Sequence, residues 1–231
     1  MKIKVRSEHE FENAIKSIPM CNGELVIILK RNIDLSIMDQ NLFPINAEGI
    51  DVSIYGNGYS LLNLNINSEE NNIGLFSKAK SLNVKDLDVD GFSIKGDCTV
   101  GALAGTIKEN FMARKLNIKS EVTSADYVGG VVGVVGGHTN VSDSKINTSV
   151  HGYCVVGGIV GASGTKNIQN TTIKADLDVY SKRSGLVKKA FEDKEVGYLC
   201  AKVDRELIAM LKEQEEQEYQ RLRSLPLDHY L

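Results

Sequence analysis

The stretch best equipped to hold a cation is Asp86-Leu87-Asp88-Val89-Asp90-Gly91, with Asp97 twelfth counting from Asp86. Its D-x-D-x-D-G opening has the spacing of a calcium loop, in which oxygens from alternate positions wrap one ion. Two features oppose that chemistry. The twelfth position is Asp, where such loops place a bidentate Glu. Leu87 and Val89 also alternate with the acids as in a β-strand, and a straight strand does not wrap a cation. The expectation is a solvated acidic face on one strand, its carboxylates paired across strands with Lys115 and Lys119. Whether the Asp86/Asp88/Asp90 stripe binds a cation is left open by the sequence.

Other reactive residue types are sparse and badly spaced. His9, His138, His151 and His229 share no metal-ligand spacing with cysteine or acidic residues. Gly161-Ala162-Ser163-Gly164 is not a G-x-S-x-G nucleophile elbow. The glycine-rich strands lack the G-K-[ST] of a phosphate loop. Cys98 and Cys154 share a phase but stand two repeats apart. At ~4.8 Å per stacked strand that is roughly 9–10 Å, beyond the ~7 Å that a disulfide allows. All four cysteines are therefore expected as thiols, which suits a cytoplasmic protein. No catalytic, cofactor-binding or metal residue is assigned, and a non-enzyme without cofactor is expected.

The elements that would position these residues are set by a repeat. Val128-Gly129-Gly130-Val131-Val132-Gly133 is preceded by Val100-Gly101-Ala102-Leu103-Ala104-Gly105 and followed by Val156-Gly157-Gly158-Ile159-Val160-Gly161. A weaker copy begins at Ile73-Gly74. The leading glycines step by 27, 28 and 28 residues from Gly74 to Gly157. Such a period is the signature of units that bury their apolar faces only against one another. Between the glycine elements, alternating residues such as Leu82, Val84, Leu87 and Val89 read as strands with one buried face. Upstream, Ser7-Glu8-His9-Glu10 has capping-box spacing, and Phe11, Ala14, Ile15 and Ile18 fall on one helical face.

The V-G-G-Φ-V-G element, kept in phase three times, resembles the GLUG-motif repeat family. Asp51–Leu61 resembles the opening rungs of pectin-lyase-like β-helices. Together the resemblances cover roughly residues 20–180 and imply an all-β, right-handed parallel β-helix, a solenoid of ~28-residue repeats. Members of such families serve as spacers or binding modules. The expected division is 1–20 as an N-terminal capping helix and 21–188 as the β-helix with GLUG-like repeats. Residues 189–231 are expected as a C-terminal α-helix and tail. In that last segment Leu199, Val203, Leu207 and Leu211 form a helical stripe, followed by Tyr219, Leu222, Leu225, Leu227 and Tyr230. These nine are the candidate partner-binding residues, for a protein partner or for a homodimer.

Composition narrows the function classes. The chain has 231 residues, 42% hydrophobic and 25% charged, with a net charge of −3. Neither a basic stripe for nucleic acid nor a polyanionic face stands out. Lys182, Arg183, Lys188, Lys189 and Lys194 read as a solvated edge. No apolar core follows Lys2 and Lys4, and no apolar run reaches the ~20 residues of a membrane span; a cytoplasmic setting without membrane is expected. The function expected is a non-enzymatic protein-interaction solenoid, with a small inhibitor of a host or bacterial defence protein as a sub-case. The alternatives are a surface-adhesin-like repeat module and a carbohydrate-active enzyme of the pectin-lyase type. The partner, the oligomeric state and the solenoid face used are not legible in the sequence.

Overall fold

Alternating apolar residues do form strands, and every strand pairing among the described residues is parallel. The computed structural model describes residues 1–124, 126–152 and 155–179. The strands are β1 Lys2–Val5, β2 Glu24–Leu29, β3 Ile33–Asp34, β4 Ile45–Leu62, β5 Asn65–Asn67, β6 Asn72–Ile73, β7 Phe76–Lys95, β8 Thr99–Gly101, β9 Ala104–Ile107, β10 Phe111–Thr123, β11 Tyr127–Gly129, β12 Val132–Ser142, β13 Lys145–Gly152, β14 Val155–Gly157, β15 Val160–Gln169 and β16 Thr172–Val179. Twelve belong to one sheet; β6, β8, β11 and β14 form a second, four-stranded sheet.

The strands do not form the expected right-handed parallel β-helix, a coil of short rungs. The protein is all-β, with strands gathered into two sheets of unequal size. The sequence reading divides the chain at its polar stretches, yet β4 runs 18 residues and β7 runs 20 without a break. The reason is that a polar residue can bend a strand at a corner without ending its ladder. Lys2–Val5, expected within the N-terminal helical cap, is itself a strand paired with β2. The one α-helix among the described residues is α1, Glu8–Lys16. The Ser7 hydroxyl accepts from the Glu10 backbone N–H at 3.2 Å, and the Glu10 carboxylate reaches back to the Arg6 N–H rather than to Ser7. The expected C-terminal helix lies outside the described residues.

Register explains the core. Leu25, Val52, Leu82, Phe111 and Thr139 are successive partners across five strands, and all are buried. Side chains alternate faces along a strand, so one buried column implies outward columns on either side. Among the described residues the buried polar ones are few: Ser124, Thr139, Ser144 and Thr148, each hydrogen-bonded.

The repeating glycines work through close approach. A Cβ on Gly133 would lie 2.7 Å from the Gly105 carbonyl oxygen and 2.8 Å from the Val100 nitrogen. On Gly105 it would lie 2.6 Å from the Ile73 nitrogen. Each contact is with backbone, so the four-stranded sheet packs main chain to main chain against the strands that follow it. Glycine is the residue that leaves room for this.

The left-handed corner between the two outward faces of the long strands is made by other residues. Asn57, Asp86, Lys115, Asp143 and Asn170 all have positive φ, between 45° and 55°. Asn and Asp tolerate that region; Lys does not do so readily. Lys115→Asn should therefore stabilise the fold by about 0.5–1 kcal/mol, because the short Asn side chain can hydrogen-bond to nearby backbone in the left-handed region and that of Lys does not. A urea titration monitored by circular dichroism checks this; a lower midpoint for the variant would count against it.

Candidate functional site

The acidic stripe is split by the corner. Asp88 and Asp90 face outward on β7, facing Asn117 and the Lys119 region of β10, whereas Asp86 sits in the left-handed turn before them. Asp90 pairs with Lys119 at 3.5 Å. Lys115, expected to pair with the stripe, occupies the corner and forms no ion pair among the described residues. No group of three or more His, Cys, Asp or Glu close enough to hold a metal occurs among the described residues. His138 hydrogen-bonds Thr165 and His151 Nε2 lies 3.1 Å from Ser149 Oγ. The nine candidate partner-binding residues, Leu199 to Tyr230, lie outside the described residues.

Cys98 is used locally. Its thiol donates to Asp126 Oδ2 at 3.4 Å. That hydrogen bond, then desolvation and the charges of Asp126 and Asp97, push the thiol above its ordinary range. The folded state holds the thiol proton more tightly, so this contribution is present below the ordinary thiol range and fades as pH rises through the raised value. Asp126→Asn should raise the rate at which iodoacetamide labels Cys98 at pH 8.5 by about threefold or more. Peptide mapping reads the site; equal rates in the two proteins would refute the coupling.

No family model matches the chain, and no curated protein matches it. One crystal structure, of "a putative immunoglobulin A1 protease from Bacteroides ovatus", is similar over 81% of this chain and 86% of its own at 11% identity, with a TM-score of 0.38. At that level the likeness carries no argument about either fold or function.

What the structure does bring together is one outward face of the twelve-stranded sheet. From Lys2 on β1, one column passes through Val26, Ser53 and Asn83 to Met112, then to Asn140 and Asn167. The adjacent column runs from Lys4 through Ile28 and Tyr55 to Lys85 and Arg114, then to Ser142 and Gln169. Both columns cross seven strands, about 29 Å at ~4.8 Å per strand. Met112 stands between the amides of Asn83 and Asn140 and is 46% exposed, while its neighbours Phe111 and Ala113 are buried. An exposed thioether fixed on a paired strand, ringed by hydrogen-bonding amides, has the make-up of a docking surface.

Sequence reasoning missed this face. Phe111–Arg114 pairs with Leu82–Lys85 at a step of 29, and with Thr139–Ser142 at 28; Thr139–Ser142 pairs with Lys166–Gln169 at 27. A search at one fixed period does not place Lys85, Arg114 and Ser142 in one column. The odd–even alternation of Phe111-Met112-Ala113-Arg114 was the available signal.

Proposed function

We propose that this chain is a non-enzymatic protein-interaction module whose working surface includes the outward columns around Met112. The observation that carries the reading is Met112 itself: a large apolar side chain, nearly half exposed, held on a strand with paired neighbours on both sides. Strand pairing on both edges of β10 prevents it from turning inward, and its exposure is then compensated when a partner covers it. Binding to such a rigid face costs little ordering of the module's own backbone, which favours a stand-alone binder or inhibitor.

The test places a photo-crosslinking amino acid at position 112 of the full-length chain, with the same group at Met20, which is 78% exposed, as the control. A discrete protein adduct at 112, absent at 20, supports the reading. No adduct at 112, or the same adducts at both positions, overturns it.

A further inference from the structure

We infer that the partner of this face is an acidic protein segment, laid along the two columns with its carboxylates on Lys85, Arg114 and Lys4 and an apolar side chain on Met112. This rests on the interaction reading above and adds the partner's chemistry.

The two columns hold Lys2, Lys4, Lys85 and Arg114 and no Asp or Glu, in a chain whose net charge is −3. The four cations are exposed. Lys2, Lys4 and Lys85 form no ion pair among the described residues, and Arg114 contacts Asp143 at 3.5 Å with 62% of its side chain still exposed. The carboxylates that border the face lie outside the two columns. Asp51 is held by Lys80 at 2.9 Å, Glu24 stands at the edge in register with Asp51, and Asp86 and Asp143 belong to the corner. The outward columns of the next face mix signs instead, with Asp90 beside Lys119 and Asp88 in register with Asn117. Segregation of one sign on one face steers a partner of the other sign.

Spacing and neighbours select a polypeptide over a nucleic acid. A nucleic-acid strand carries a phosphate every ~3.4 Å, on the order of eight along a 29 Å column, against four cations here. Base stacking needs exposed aromatic rings; Tyr55, the aromatic residue of the columns, is half-buried. Between the cations the face offers Met112, Val26 and Ile28 for apolar side chains, and Asn83, Asn140 and Asn167 for backbone amides and carbonyls. Lys85 and Arg114 are adjacent partners, and Lys4 is three strands from Lys85, roughly 14 Å. Acidic side chains on alternate positions of an extended segment reach both sites.

The experiment uses full-length protein and a fluorescent 12-residue peptide alternating Glu with Leu, read by anisotropy. Its counterpart has Gln for every Glu, and a twelve-nucleotide oligothymidine strand is the third probe. The expected result is binding of the Glu peptide, at least tenfold tighter than the Gln peptide, weakened about tenfold between 50 and 300 mM NaCl. Lys85→Glu, at an exposed unpaired site, should weaken it at least fivefold; Lys85→Glu with Arg114→Glu should abolish it. Equal binding of Glu and Gln peptides, no effect of Lys85→Glu, or preference for the oligonucleotide overturns the inference. If the adduct at position 112 forms while these arms fail, the interaction reading stands and the acidic partner falls.

Discussion

Gly129→Ala is expected to lower stability by about 3 kcal/mol, one of the largest effects available to a single methyl group in this chain. The added Cβ would overlap the Val132 carbonyl oxygen and lie 2.7 Å from the Gly161 nitrogen and 2.8 Å from the Ile159 carbonyl oxygen. All three are main-chain atoms, Val132 and Gly161 in paired strands and the Ile159 carbonyl held by the Val131 and Val132 N–H groups, so none can swing aside as a side chain could. Accommodation would have to part β11 from the strand that follows, at the expense of ladder hydrogen bonds. Gly58→Ala supplies the contrast. Gly58 has φ of +77° but nothing within 4 Å of its Cβ position. Only backbone strain opposes that change, about 1 kcal/mol. Urea unfolding of the two variants should separate them clearly. If Gly129→Ala came within 0.5 kcal/mol of the parent, the main-chain packing of the two sheets would be refuted.

Phe111→Ala is expected to cost about 3–5 kcal/mol, while Met112→Ala, one residue along, should stay within about 0.5 kcal/mol of the parent. Phe111 is fully buried between Leu82 and Thr139, and its removal leaves a cavity walled by paired strands that cannot collapse into it. Met112 points the other way. Thermal denaturation reads both; a loss above 2 kcal/mol for Met112→Ala would mean that its side chain belongs to the core. The pair also separates stability from binding. Met112→Ala should fold normally and lose the Glu-peptide interaction, so a binding defect in that variant is not a folding defect.

How much of this could be read from residues alone differs from element to element. The strand alternation of Leu82–Val89 was legible, because burial of one face imposes a period of two whatever the neighbours are. The glycine period was legible for a similar reason: each glycine must leave room for the same backbone in the next repeat, so the residue type recurs. Its cause was only half legible. The glycines leave room for close approach of main chain, whereas the left-handed bends belong to Asn57, Asp86, Lys115, Asp143 and Asn170. Five residues of three types share one conformation there, and Lys115 has no local preference that announces it. The expected coil of short rungs did not survive either, since hydrophobic pattern marks which residues are buried but not where one ladder ends and another sheet begins.

The candidate surface marks the same boundary. The sequence by itself determined which side chains alternate outward: Met112 and Arg114 against Phe111 and Ala113, Lys85 against Val84. Only the tertiary structure decided that Lys4, Lys85, Arg114 and Met112 share one face. The strand steps drift from 29 to 28 to 27 residues, and the register shifts at irregularities such as those between Tyr55 and Tyr59 on β4 and between Val135 and His138 on β12. A shift of one residue would turn Met112 inward and Phe111 to solvent. The cost of burying the wrong column selects the register, and that cost is a property of the assembled core, not of any one strand.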